Sequence, residues 1–543
     1  MRITRQIVGG TAGVAVLCMV GFVANPDAVK DLGRRLSTGA ALLEQAEGIS
    51  QQVQNHKVVL AAVETKEKKA VSALSAGQEA EARLHFDSAE YFYDAAVRAA
   101  QRSLQRDPTS DAAMEERLRA GVALGAFWYH RGHMDKAEKV LKEAEVNSKS
   151  STLSLLLAEA ERFEVLGNVY RDMGRYKEAR RQYETAEHLL GRSEAQDERI
   201  EATRAVLLAE QGWLLNKQEK LTEADNAMTA ALKGLTAAHA GKDQEALATG
   251  RLGAIQHDEG FVSAAMTNYI SALQTELAPG AEGYTPDAFE TLQNMAVGQR
   301  DLGKGSASIS TIERAVNLQK QQLEAEQKVN EKVEDKALMA SLARSYALGA
   351  ELLRRSDKSK CAKGLRWAHE ALALQRRVDG DVLKMEQADI LNTIGNVQSD
   401  LGRYNDAGNS YKASLAIHEK LEPNGNTATT ASVYGNLGSL LHRQGRFQEA
   451  ITMYEKSMKL QESVLAPSNP DIAVTCNNIA VSLTKLGKLE EAQEYAKRAV
   501  ALVDESDLQE SNGDKQLFSS TLKHIQGQIG KKAAHKSMRV QEQ

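Results

Sequence analysis

From about residue 71 the chain returns to one short pattern roughly every 42 positions, and this periodicity restricts what its 543 residues can fold into more than any other feature. Small residues recur at Gly77, Gly125, Gly167, Gly212, Gly253, Ala296, Gly349, Gly395, Gly438 and Ala480, with spacings of 41 to 53. Seven positions further on, a second glycine appears as Gly132, Gly174, Gly260, Gly303, Gly402, Gly445 and Gly487. Five residues beyond it stands alanine, as Ala137, Ala179, Ala265, Ala407, Ala450 and Ala492, with Ser308 as the exception. A period of this length is one supersecondary unit, and units of that size bury their apolar faces by stacking on copies of themselves.

Each unit reads as helix, turn, helix. The first small residue lies inside the first helix, where a bulky side chain would hold neighbouring helices apart. The second glycine marks the end of that helix, because glycine takes the left-handed C′ conformation without a Cβ penalty. The alanine lies on the second helix and faces back across the hairpin. Tyr183, Tyr269, Tyr411, Tyr454 or Leu141 follows four residues later, and Ala144, Ala186, Ala272, Ser414, Ser457 or Ala499 three after that. Together they form a stripe of helical period. The seven prolines fit this reading, since Pro26, Pro108, Pro279, Pro286, Pro423, Pro467 and Pro470 all fall between expected helices. An interior proline would cost about 3 kcal/mol. An aromatic content of 5% argues against a β-sandwich or barrel, and 42% hydrophobic residues argue against disorder.

The segments LGNVYRDMGRYKEARRQYETA (166–186), GNLGSLLHRQGRFQEAITMYEKS (435–457) and NNIAVSLTKLGKLEEAQEYAKRA (477–499) resemble tetratricopeptide repeats. Their spacing near 42 resembles the kinesin-light-chain type of array. The resemblance implies an all-α fold, a right-handed α-solenoid of about ten repeats over residues 71–505. A capping helix around Leu517 to Ile529 and a polar tail are expected in 506–543. The units at 71–101, around Ser308 and from Gly349 to Ala371 depart most from the pattern. Residues 316–345 read as one extended polar helical stretch.

The amino terminus reads differently. A basic flank (1–6) with Arg2 and Arg5 precedes an uncharged run over 7–25, and a helical linker fills 26–70. Nineteen helical residues span about 28 Å, close to a hydrocarbon core of roughly 30 Å, so 7–25 is expected to be a transmembrane signal anchor. A cleaved signal peptide is the competing reading. Basic residues on both flanks look like mitochondrial signal anchors, which leads to the expectation of a single-pass protein of a mitochondrial membrane, with a cytosol-facing endomembrane as the alternative. Gly9 and Gly13 form a GxxxG spacing through which two such helices could dimerise.

Sixty-eight basic against 73 acidic residues leave a net charge of -5 and no basic stripe, which argues against a nucleic-acid partner. Cys18, Cys361 and Cys476 are far apart and fit neither a disulfide framework nor a zinc site. His130 and His133 straddle a hairpin turn with no third metal ligand near them in sequence. No nucleophile elbow, P-loop or dinucleotide fingerprint occurs, so neither catalysis nor a cofactor is expected. Trp128, Trp213 and Trp367 read as core residues. The resemblance points instead to a groove lined by the first helices, where related arrays hold peptides. Its inward positions carry Asn294, Asn392, Asn396, Asn436 and Asn478. Amides donate and accept, so such a row can pair with the backbone of an extended protein or peptide segment; alternatively they satisfy polar groups of the array itself. The dicarboxylate clamp of chaperone-binding arrays is missing, because Val474 and Asn478 stand where its third unit would act. The sequence therefore reads as a membrane-anchored, non-enzymatic scaffold or adaptor. A mitochondrial import receptor or membrane-complex assembly factor is the alternative, and a cargo adaptor resembling kinesin light chain a lower one.

Overall fold

The computed structural model describes residues 70–541, apart from connections at 83–85, 147–151, 194–196, 278–285, 330–334, 357, 381, 422–427, 466–468 and 506–511. The described chain is all α-helix apart from turns and one short 3-10 segment, Lys358–Lys360. In chain order the helices are α1 (Ala70–Ala82), α2 (Phe86–Arg106), α3 (Asp111–His130), α4 (Met134–Glu143), α5 (Leu153–Asp172), α6 (Tyr176–Leu190) and α7 (Glu198–Lys217). Then follow α8 (Leu221–Ala237), α9 (Lys242–Asp258), α10 (Val262–Glu276), α11 (Pro286–Asp301), α12 (Gly305–Val329), α13 (Lys336–Ser356) and α14 (Cys361–Asp379). The last are α15 (Met385–Asp400), α16 (Tyr404–Leu421), α17 (Ala428–Arg443), α18 (Phe447–Val464), α19 (Pro470–Lys485), α20 (Leu489–Glu505) and α21 (Asn512–Gln541).

The chain divides into two compact units. The first lies within residues 1–129, 134–169 and 188–194. In it α1 packs on α2 and α3 on α4, with Leu118, Leu141 and Leu155 at most 1% exposed. The second lies within 130–133, 170–187 and 195–543. Here the pairs α7/α8, α9/α10, α11/α12, α13/α14, α15/α16, α17/α18 and α19/α20 stack in order, each hairpin against the next, and α21 closes on α19 and α20. This is an all-α solenoid. Successive first helices also touch directly, α7 with α9 and so on to α19, so they share one side of the stack.

The repeated small residue has a sharper reason than helix spacing. A Cβ built on Gly77, Gly125, Gly253, Gly395 or Gly438 would come within 2.5 to 2.8 Å of Tyr93, Leu141, Tyr269, Tyr411 or Tyr454 respectively. That partner comes from the second helix of the same hairpin and lies against bare backbone, so even a methyl is too large. Where the position is alanine the partner shrinks: Ala296 shares a core cluster with Ile312, and Ala480 with Ala496. Burying one such ring or Leu stabilises by about 1.5–3 kcal/mol. The alanines of the second helices are fully buried, and Ser308 fits among them because its hydroxyl donates to the Ala296 carbonyl at 2.6 Å.

All seven second glycines have φ between +71° and +89°. In the fourth unit Glu219 occupies that position at φ 61°, and the chain still closes the turn, with the Lys220 N–H donating to the Leu215 carbonyl at 3.1 Å. The motif thus demands the left-handed conformation even from a residue that pays for its Cβ.

Two expectations need correction. The stretch 316–345 is not one helix: α12 ends at Val329 and α13 begins at Lys336. Asp335 sets that start, its carboxylate accepting the Leu338 N–H at 2.9 Å as an N-cap does. Localisation changes as well. Among the described residues no helix is long and apolar enough to cross a membrane, which overturns the assignment to a mitochondrial or other membrane as a single-pass protein. The repeat helices are charged along their outward faces, as α18 is with Glu449, Glu455, Lys456, Lys459 and Glu462. Residues 7–25, with Gly9 and Gly13, lie outside the described residues.

Candidate functional site

The shared face of the first helices in the second unit carries side chains at a fixed register. Two positions before each small residue stand Glu210 on α7, Arg251 on α9, Asn294 on α11, Asn436 on α17 and Asn478 on α19. The five asparagines are all half-buried on this face, but they do not form one continuous ladder. Asn436 Nδ2 donates to Asn392 Oδ1 at 3.0 Å, joining α17 to α15. Asn396 accepts the Tyr411 hydroxyl at 2.8 Å, so the ring that lies on Gly395 is also fixed at its tip. Asn478 accepts the Ser482 hydroxyl at its main-chain carbonyl, 2.8 Å away. Asn294 stands apart, in a cleft between α7, α9 and α11.

That cleft is shallow and open to solvent, and is lined by Trp213, Arg251, Asp287, Glu290, Thr291 and Asn294 among others. At its back Glu210 bonds two guanidiniums, Arg251 at 2.8 Å and Arg171. Burial alone would raise the Glu210 carboxyl, but these two cations hold it below the usual range. Asp287 is shifted the other way: burial raises it, and Arg251 offsets this only in part. Glu276, the last residue of α10, is 8% exposed, with the Thr291 side chain as its hydrogen-bonding neighbour. Burial, followed by the negative charge of Asp287, pushes it up to about 7.

At the carboxyl ends of the first helices the charges interlock. Asp400 on α15 receives Arg354 Nη1 from α13 at 2.6 Å and Arg443 Nη1 from α17 at 3.1 Å, and Arg354 also bonds Glu351. His257 on α9 meets Asp301 on α11 at 2.9 Å, and His442 on α17 meets the Ser482 hydroxyl on α19 at 2.8 Å. These links tie consecutive repeats together. Among the described residues no group of three or more His, Cys, Asp or Glu is arranged to hold a metal ion.

Glu210, Arg251, Asp287 and Glu290 were not singled out from the sequence, although Glu210 and Arg251 occupy the register position of Asn294 and Asn436. Reading that position for every unit, rather than for asparagine alone, finds them. Trp213 is buried as expected, at 5% exposure, yet its ring also lines the cleft.

Tetratricopeptide repeat models match residues 160–186 and 429–505. The chain therefore carries repeats of this class at both of those places. Among curated proteins none is significantly similar to it in sequence. Solved structures of similar architecture include the apo form of RapI, 13% identical over 71% of this chain and 97% of that one, at a TM-score of 0.49. The apo form of the quorum sensor NprR from B. thuringiensis is 11% identical, covering 72% and 99%, at 0.48. The nearly identical repeats of a putative kinesin light chain from Podosopora anserina are 16% identical, covering 40% and 95%, at 0.28.

Proposed function

We propose that the chain is a non-enzymatic interaction scaffold or adaptor that binds an extended segment of a protein partner along the shared face of its first helices. The observation that carries this reading is the amide pair Asn392–Asn436 with Asn478 one repeat further on. The 3.0 Å bond between the pair uses one donor and one acceptor, which leaves Asn392 Nδ2 and Asn436 Oδ1 to meet the N–H and C=O groups of an extended backbone. Amides paired this way recognise main chain whatever its side chains, as a scaffold for a peptide segment requires.

The test is selection of a random peptide-display library on the full chain, followed by affinity measurement of the selected peptides. Each backbone hydrogen bond contributes about 0.5–1.5 kcal/mol, so replacing both Asn436 and Asn478 by Ala should weaken binding roughly tenfold or more. The thermal midpoint should fall only slightly, through loss of the Asn436–Asn392 bond. Peptides that bind the double variant as tightly as the parent protein would place recognition elsewhere.

A further inference from the structure

One contact of the second unit skips along the stack. Residues 130–133, the turn between α3 and α4, belong to this unit together with α12 and α13. Arg131 Nη1 donates to Asp335 Oδ2 at 2.8 Å, across 204 positions of sequence. The backbones also meet there, since a Cβ built on Gly132 would stand 3.0 Å from the Ala337 nitrogen. Hairpins of a solenoid rest on their neighbours, so a contact that passes over several of them is an added restraint. The side chains that make it are closed off from solvent: Arg131 is 5% exposed, Asp335 7% and Glu326, on α12, 2%.

The two carboxyls are unequally served. Asp335 takes Arg131 on one oxygen and the Leu338 N–H on the other at 2.9 Å, with the Ala337 N–H donating as well. Glu326 receives the Gln322 amide on Oε1 at 3.3 Å, whereas its Oε2 stands 3.9 Å from Arg131 Nη1, beyond a hydrogen bond. With Glu326 protonated the buried group holds one cation and one anion. With Glu326 ionised it holds a surplus negative charge, which is costly away from water.

The charged groups that act on Glu326 are Asp335, which opposes its ionisation, and Arg131, which favours it. His130, beside Arg131 in the turn, acts on Asp335 and on Asp287 of α11. Lys336 at the start of α13 lies against Gly132, and Glu324 and Lys328 on α12 are exposed. Burial first, then Asp335, pushes the Glu326 carboxyl up to about 7.

We infer that Arg131, Asp335 and Glu326 form a proton-operated latch: with Glu326 protonated the 130–133 turn is held on the start of α13, and loss of that proton to solvent releases it. The docked state binds the proton more tightly than the released state, in which the carboxyl returns to its ordinary 4.5. Protonation therefore favours docking in full below about pH 4.5, and the advantage is lost as the pH rises through about 7. Docked, the turn restrains a stack that otherwise rests on neighbour contacts; released, it removes that restraint.

Hydrogen exchange of the full chain, read by mass spectrometry at pH 5 and pH 8 with exchange times scaled to the intrinsic rate, tests this. Protection of peptides covering 130–133 and 335–339 should fall roughly tenfold or more between the two. Glu326→Gln keeps the size and the Gln322 contact but cannot ionise, and should remove most of that fall. Arg131→Met should leave both peptides weakly protected at either pH. A peptide over Gly402, a turn of the same kind with no atom packed within 4 Å of its missing side chain, should change less than about twofold.

Equal protection at pH 5 and pH 8, or a fall that Glu326→Gln retains, overturns the latch. An equal fall at Gly402 would show general loosening of the array in place of a local release, and overturns it too. Parental protection in Arg131→Met at pH 5 would mean that the ion pair does not hold the turn. Should that variant fail to fold, Glu326→Gln decides alone.

Discussion

Two polar regions lie on the first helices of the second unit and behave oppositely. At the carboxyl ends of α13, α15 and α17, Arg354, Asp400 and Arg443 alternate in sign and bond one another across repeats. Nearer the amino ends of α11 and α15, Asp287 with Glu290 and Glu386 with Asp389 set like charges side by side without a counter-ion within 4.0 Å among the described residues. Interlocked charges hold neighbouring hairpins in register. Unpaired ones weaken the folded array. On a solenoid, where each repeat contacts chiefly its neighbours, this difference separates polar residues that serve the stack from those that do not.

The most severe way to break the comparison is to destroy a paired site. Replacing Glu210 by Ala leaves Arg171 and Arg251 buried without their shared carboxylate, which costs about 3–5 kcal/mol. Trp213 lies within a helical turn of Glu210 and lines the same cleft, so its fluorescence during urea unfolding reports the loss directly. A midpoint equal to that of the parent chain would mean that pairing does not distinguish structural charges from the rest.

Much of this architecture is legible in the sequence because it is local. The glycine at each turn and the ring sixteen residues after the small position are decided within one hairpin, so spacing alone exposes them. Glu219 shows the limit: the turn keeps its left-handed φ of 61° although the residue type no longer signals it. The break between α12 and α13 was missed because it depends on one short contact, the Asp335 carboxylate on the Leu338 N–H, inside a helix-favouring composition. The asparagine row was visible as a row, but Asn396 turning to Tyr411 and Asn436 to Asn392 are decisions of packing. Glu276 carries no sequence signal at all. It is an ordinary acid at a helix end until α11 folds over it and places Asp287 alongside.

Glu276 sharpens the comparison through pH. Its folded value of about 7 lies above the ordinary 4.5, raised by burial first and then by Asp287, so the folded state holds its proton more tightly than the unfolded chain does. The stability this provides is complete below about pH 4.5 and is lost as the pH rises through 7, by at most about 3 kcal/mol. Glu326, also pushed up to about 7 by burial and by Asp335, loses stability over the same window. Urea midpoints should therefore fall between pH 5 and pH 8. Glu276→Gln and Glu326→Gln should each flatten a substantial part of that slope, with a smaller share left to Asp389, which is raised to about 6. A slope undiminished in both variants would show that these buried acids do not control it.

The smallest effects test the comparison most closely, because they concern two aspartates on one helix. Asp400→Asn removes the charge that Arg354 and Arg443 share at 2.6 and 3.1 Å and should destabilise by about 1 kcal/mol, since the site is partly open to solvent. Asp389→Asn removes a charge that stands one helical turn from Glu386 and repels it. Asp389 is exposed, so solvent screening limits the gain to a few tenths of a kcal/mol, but its sign is opposite. Urea midpoints measured side by side at pH 7.5 resolve the two, and both shifts should shrink in 1 M salt as the Debye length falls to about 3 Å. If Asp389→Asn destabilises as Asp400→Asn does, Asp389 is held by the array as Asp400 is.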